Sequence, residues 1–235
     1  MGDKYNDALK FWNSAFEMDD NAKEQYKREV DPEKDWKELA SSEKLRDVII
    51  EQLSNKAKVL DYGCGEGWAG ISLRKSGCKD VTCVDVVENA IKLTEFFEEI
   101  FDIREGFKAE CVSSDWIKET AVDVYDGVFC SNVIDVLPED VASVIIENIS
   151  RIAVKGAKIV IAMNYYAELK SNSEKNMEVK NGNELYVNGI LRLVSRTDDE
   201  WKSIFEKYFD VEKIEYFAWS GETEEKRRIF IMKNR

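Results

Sequence analysis

Val59-Leu60-Asp61-Tyr62-Gly63-Cys64-Gly65-Glu66-Gly67 runs from an apolar strand into a glycine turn with a carboxylate at its mouth. Three glycines at alternate positions remove every Cβ from a tight strand-to-helix turn, so a ligand can reach the backbone and the amides of the next helix N-terminus. A nucleotide-like ligand is expected there. A dinucleotide fingerprint would need glycines at 63, 65 and 68. Here position 68 is Trp, the third glycine is Gly67, and an acid stands two residues before the first. The alternative is a glycine-rich turn that holds no ligand, and the strand ends downstream discriminate between the two.

Outward from this stretch the apolar pattern alternates. Strands are expected at 57–62, 81–86, 107–112, 125–131 and 157–163, with helices at 67–76, 88–101 and 139–151 between them. Near-continuous apolar strands separated by helices predict a parallel sheet covered on both faces. Residues 4–53 read as helical. Tyr5, Ala8, Leu9, Phe11, Trp12 and Phe16 form one stripe, Trp36 and Leu39 follow, and after Ser41-Ser42 come Leu45, Val48, Ile49, Ile50 and Leu53. Past residue 163 the alternation breaks. Asn188-Gly189 between Leu185-Tyr186-Val187 and Ile190-Leu191-Arg192-Leu193 predicts a type I′ hairpin; helix 198–208 and strands 211–219 and 228–232 follow. The chain reads as one domain over 1–235: a helical cap at 1–41, a ligand-binding core at 42–163, an insert at 164–197, and a helix and hairpin at 198–235.

A ligand lying across the carboxyl ends of parallel strands must be touched by several strand ends. The second strand ends Val84-Asp85-Val86, with its acid 24 residues after Asp61. The third gives Cys111-Val112-Ser113-Ser114-Asp115-Trp116, and the fourth runs Phe129-Cys130-Ser131-Asn132-Val133-Ile134-Asp135. Together with the first motif, this series resembles the class I S-adenosylmethionine (SAM)-dependent methyltransferases over roughly residues 42–235. The resemblance implies an α/β, Rossmann-like, doubly wound seven-stranded sheet. Most of its strands are parallel, and a C-terminal hairpin places the last strand antiparallel between two parallel ones. It also implies SAM as cofactor and S-adenosylhomocysteine (SAH) as product, held by Asp61, Gly63, Cys64, Gly65 and Gly67. Asp85 would accept the ribose hydroxyls beside Val86, Asp115 would accept the adenine amino group beside Trp116, and Ser131 and Asn132 would run beneath the methionine part. The charges agree: Asp61 would repel a pyrophosphate and attract, directly or through water, an ammonium and a sulfonium. Asp85 and Asp115 also have a plainer reading, as caps of the helices that follow them.

Composition narrows the reaction. There is no histidine, so Ser-His and Cys-His nucleophile pairs are impossible. The cysteines Cys64, Cys78, Cys83, Cys111 and Cys130 are isolated and odd in number, which argues for reduced thiols and against a disulfide framework or a metal site. A net charge of −13 makes nucleic acid an unexpected partner. Position 131 onward is Ser-Asn-Val-Ile, unlike the Asn/Asp-Pro-Pro-aromatic motif of amino-methylating nucleic-acid enzymes, and no Pro-Cys pair occurs for attack on cytosine C5. No apolar run approaches the roughly 20 residues of a bilayer span, and the first residues carry no signal-peptide core, so a cytoplasmic protein is expected.

The remaining expectation is methyl transfer to O, N, S or C of a small-molecule acceptor, with proximity supplying much of the catalysis. Asp135 is the candidate proton acceptor, with a cap for the helix after Pro138 as its other reading. Tyr165 and Tyr166 are candidates to line the acceptor pocket, the other reading being loop packing. Phe11 and Trp12 are candidates for a lid that excludes water from the sulfonium, the other reading being plain core. Two other classes remain: an aminopropyl transferase of the polyamine-synthase kind, for which paired acids after the fourth strand are missing, and a non-catalytic SAM-binding subunit. Oligomeric state is open.

Overall fold

The computed structural model describes residues 3–170 and 176–235, with the side chains of residues 3–8 outside the description, so Tyr5 and Ala8 of the expected stripe are not placed. The chain order begins with α1 (Asp3–Ala15), α2 (Asp20–Glu29), a 3-10 turn (Asp35–Leu39) and α3 (Glu43–Leu53). The core then alternates: β1 (Lys58–Tyr62), α4 (Trp68–Lys75), β2 (Asp80–Asp85), α5 (Glu88–Ile100), β3 (Phe107–Cys111), α6 (Trp116–Glu119), β4 (Tyr125–Ser131), α7 (Glu139–Ile152) and β5 (Ala153–Met163). Three short strands, β6 (Met177–Lys180), β7 (Glu184–Val187) and β8 (Ile190–Val194), form a separate antiparallel sheet. The chain closes with α8 (Asp198–Phe205), β9 (Phe209–Phe217) and β10 (Arg227–Asn234).

The main sheet has the order β3-β2-β1-β4-β5-β10-β9. Strands β1 to β5 pair in parallel, and β10 runs antiparallel to both β5 and β9. This is the expected Rossmann-like sheet with its C-terminal hairpin. Successive residues of one strand serve opposite faces. Val59 and Phe129 join Leu45, Ile49, Ile71 and Phe97 on the side of α3, α4 and α5. Leu60 and Val128 join Ile145, Ile149, Trp201 and Phe205 on the side of α7 and α8. Both faces are therefore apolar, and the sheet must be covered twice.

Local chemistry fixes several boundaries. Ser42 caps α3 by accepting from the Leu45 amide, and Thr197 and Glu200 form a capping box at α8. Asn188 (φ 53°) and Gly189 (φ 76°) both take the left-handed conformation that a type I′ turn demands. The sequence pattern did not anticipate β6, the short α6 or the 3-10 turn that buries Trp36. β5 also begins four residues earlier than its apolar run, because a register shift between Tyr125 and Gly127 lets Ala153 pair with Tyr125.

Candidate active site

The carboxyl ends of β1, β2 and β4 open into a cavity of about 870 Å³, toward the upper end of small-molecule pockets. Gly63, Cys64, Gly65, Asp85, Val86, Ser131 and Asn132 all line it, as does Trp12. Apolar walls come from Val112, Ile117, Val141 and Ile145 on one side and from Phe16, Trp68 and Phe129 on the other.

The glycine turn is built differently from the reading that bare backbone serves the ligand alone. The amides of Gly63 and Cys64 both donate to the Val84 carbonyl, at 2.8 and 3.1 Å, so the turn is stitched to β2. Gly67 (φ 79°) is the N-cap of α4, and a Cβ there would collide with the Thr94 side chain of α5. Gly67 does not line the cavity; it is glycine because the helix entry is left-handed and α5 is in the way.

Asp61 lies at the end of β1, 2% exposed. Its Oδ2 accepts from the Gly70 amide at 3.1 Å and from the Cys83 thiol at 3.9 Å, locking α4 onto the strand. Burial pushes its carboxyl up to about 7, against the lowering bond from Gly70 and with a further push from Asp85. Asp85 is similarly engaged: Oδ2 accepts from the Gly65 amide at 3.0 Å and Oδ1 from Val87 at 2.9 Å. Burial raises its carboxyl too. Asp85 thus ties two cavity loops together, and because Val87 is the N-cap residue of α5 it also braces that helix start. A carboxylate has about four lone-pair sites, so acceptor capacity remains for a ligand.

Asn132 has φ 52° and donates its backbone amide to the Ala162 carbonyl at 3.0 Å. Its Oδ1 is buried without a hydrogen-bond partner. A strained residue with an orphaned acceptor beside a cavity is poised for a ligand donor.

Five more of the expected positions fall elsewhere. Asp115 is exposed and ion-paired with Lys118 at 2.7 Å; Ser114 and Lys118, not Asp115, line the cavity. Trp116 opens α6 and packs against the α7 core instead of the cavity. Tyr165 and Tyr166, 41% and 50% exposed, leave β5 on the outer surface, with the Arg227 guanidinium 5.9 Å from the Tyr165 ring. Asp135 is fully buried, away from the cavity lining. Its Oδ2 accepts from the Asn164 amide at 2.8 Å, while α7 is N-capped by Pro138 with no side-chain bond. Neither the proton-acceptor nor the cap reading fits this placement. Asp135 fastens the exit of β4 to the exit of β5, and Arg228, 1% exposed, grips the same Asn164 through its carbonyl at 2.8 Å.

The first helix covers the cavity. Asn13 Oδ1 accepts from the Asn89 amide at 3.1 Å, and the Arg192 guanidinium of β8 lies 3.9 Å from the Phe11 ring centroid and 5.7 Å from Trp12. α1 is therefore pinned between the start of α5 and the small sheet, with Leu9, Trp12 and Phe16 facing inward. Residues that sequence reasoning passed over also line the cavity: Glu66, Trp68, Leu191, Trp219 and Ser220. Only Glu66 and Trp68 had a signal, their position in and after the glycine turn.

Comparisons with known proteins agree with this fold. A family model described as "Methyltransferase domain" matches residues 53–209. The chain belongs to that family. No curated protein sequence matches it. Among solved structures it is similar to 1,6-didemethyltoxoflavin-N1-methyltransferase of Burkholderia thailandensis, with 13% identity and a TM-score of 0.69 over 100% of this chain and 91% of that one. A second is an S-adenosylmethionine-dependent methyltransferase from Mesorhizobium loti, with 12% identity and a TM-score of 0.61 over 84% and 99%. A third is magnesium protoporphyrin IX methyltransferase from Synechocystis, with 14% identity and a TM-score of 0.59 over 82% and 79%. At such identities the likeness is one of fold. No helix among the described residues is long and apolar enough to cross a membrane, and no group of His, Cys, Asp or Glu among them is arranged to hold a metal ion.

Proposed function

We propose that this chain transfers a methyl group from SAM to a small-molecule acceptor. The observation that carries the reading is the covered cavity at the ends of β1, β2 and β4, in a domain of the methyltransferase family. The lining fits the cofactor. Asp85 is available to ribose hydroxyls, Val86, Val112 and Ile117 offer an apolar slot for a purine, and the orphaned Asn132 Oδ1 offers an acceptor to an ammonium. Asp61 and Asp85 supply negative potential beneath a sulfonium in a water-poor site. When bound, SAM supplies an electrophilic methyl group. The protein's share is to hold the acceptor in line with it, and α1 and β8 exclude water from above.

A small-molecule acceptor is supported by the size of the cavity, which α1 and β8 partly cover, and by the charge of −13. The neighbours whose names specify acceptors are themselves described as acting on small molecules. Calorimetric titration with SAM and SAH tests the first half of the proposal: failure of both to bind at millimolar concentration refutes it. Incubation of metabolite pools with methyl-labelled SAM tests the second, and label appearing only in protein or nucleic acid would refute a small-molecule acceptor.

A further inference from the structure

The cavity has carboxylates of unequal standing. Asp61 and Asp85 are engaged by the protein's own amides and Asp140, at the start of α7, is exposed, whereas the carboxylate of Glu66, partly buried in the same cavity, has no hydrogen bond or ion pair among the described residues. Its surroundings are aromatic. The Phe16 ring lies over the adjacent Gly65, where a Cβ would meet it at 3.1 Å. Trp12 is stacked at a tilt 6.5 Å from Phe16, and Trp68, two residues after Glu66, packs edge-on against Phe129 at 5.7 Å. All five side chains line the one cavity. Its only basic lining residue among the described residues, Lys118, is already paired with Asp115.

We infer that the acceptor is an amine, held in its cationic form against Glu66 and the faces of Phe16, Trp12 and Trp68. An unpaired, partly buried carboxylate at a cavity wall has lost water without gaining a partner, and ring faces present negative potential; a cation answers both, while a neutral acceptor answers neither. An anionic acceptor would meet repulsion on this wall. Burial also raises the Glu66 carboxyl, which suits it to receive a proton. The amine, its proton passed to Glu66, uses the freed lone pair to bond the methyl carbon of the donor. The carbon–sulfur pair stays on sulfur, leaving a neutral thioether and a methylated ammonium. Asn132 Oδ1 remains for the donor's own ammonium, so the two cations have separate acceptors.

This inference rests on the methyl-transfer reading above, and the test separates the two. SAH-loaded protein is titrated at neutral pH with 2-phenylethylamine and with its neutral isostere 2-phenylethanol, in the wild type and in Glu66→Gln. The amine should bind at least about tenfold more tightly than the alcohol to the wild type, the size of a charge-assisted contact, and Glu66→Gln should erase that preference. Equal binding of amine and alcohol to the wild type overturns the inference without recourse to any variant. So does a preference that survives in Glu66→Gln, or a loss of SAH affinity in Glu66→Gln as large as the loss of amine affinity, since Glu66 would then serve the cofactor. Failure of SAH itself to bind the wild type overturns the methyl-transfer reading instead.

Discussion

Replacing Asp61 by Asn should make the ligand-free protein more stable at alkaline pH and leave it nearly unchanged at acid pH. The carboxyl is fully buried against Gly70 and Cys83 with no cation beside it, and burial holds it at about 7 where 3.8 is ordinary. A folded-state value above the unfolded one means that the protonated side chain favours folding. That contribution is complete below about pH 4 and is lost as pH rises through 7. The rise from 3.8 to about 7, at about 1.4 kcal/mol per pH unit, amounts to about 4 kcal/mol. Asn keeps an oxygen for the Gly70 amide and carries no charge. The difference in unfolding free energy, Asp61→Asn minus wild type, should therefore climb by about 4 kcal/mol between pH 4 and pH 8 and be flat beyond. Urea denaturation of both proteins across that range measures it, and taking the difference cancels the raised acids that do not couple to Asp61, namely Glu66 and Asp135. The same charge that weakens the empty fold should attract a cationic ligand, so SAM affinity should rise from pH 6 to pH 8 in the wild type and stay level in the variant. A difference that does not change with pH, or a variant less stable at pH 8 than the wild type, would refute the argument that Asp61 is an uncompensated buried carboxyl.

Four further outcomes follow from the geometry. Asp85→Ala strands the amides of Gly65 and Val87 and should cost about 2 kcal/mol of stability and at least about tenfold in SAH affinity; thermal melts and calorimetry read the two, and unchanged affinity would reduce Asp85 to a loop brace. Gly67→Ala forces a left-handed residue onto Thr94 and should lose about 2–4 kcal/mol in a urea titration, a neutral result showing that α4 can shift away from α5. Asp135→Ala should destabilise by about 3 kcal/mol, because the Asn164 amide loses its acceptor and buried Arg228 a neighbouring carboxylate. Asp135→Asn, by contrast, should keep the rate per folded molecule within about twofold on an acceptor found by screening; a loss of about 10²- to 10⁴-fold would restore Asp135 as a proton acceptor.

The alternation of apolar runs with amphipathic segments was enough to place β1 to β5 and their helices, because a strand buried on both faces leaves no polar positions to confuse its reading. The glycine turn, Asp85 and the end of β4 were legible for a related reason: close backbone approach admits few residue types, so the constraint appears as composition. Asn188-Gly189 likewise declared its hairpin through left-handed φ values. Only the packing of distant elements settled the rest. A carboxylate after a strand can cap, pair with a neighbour or face a ligand, and the sequence is the same in each case. Asp115 turned to Lys118 and Asp135 turned into the core against Asn164, while Asp85 stayed at the cavity wall. Tyr165 and Tyr166 pointed outward because Arg227 and Arg228, 62 residues along the chain, fix the exit of β5 from the neighbouring strand β10. The roof depends on α1 meeting β8 through Arg192 and Phe11, 181 residues apart. No local period encodes such a meeting, and it arises only when the sheet has brought both elements to the same end of its strands.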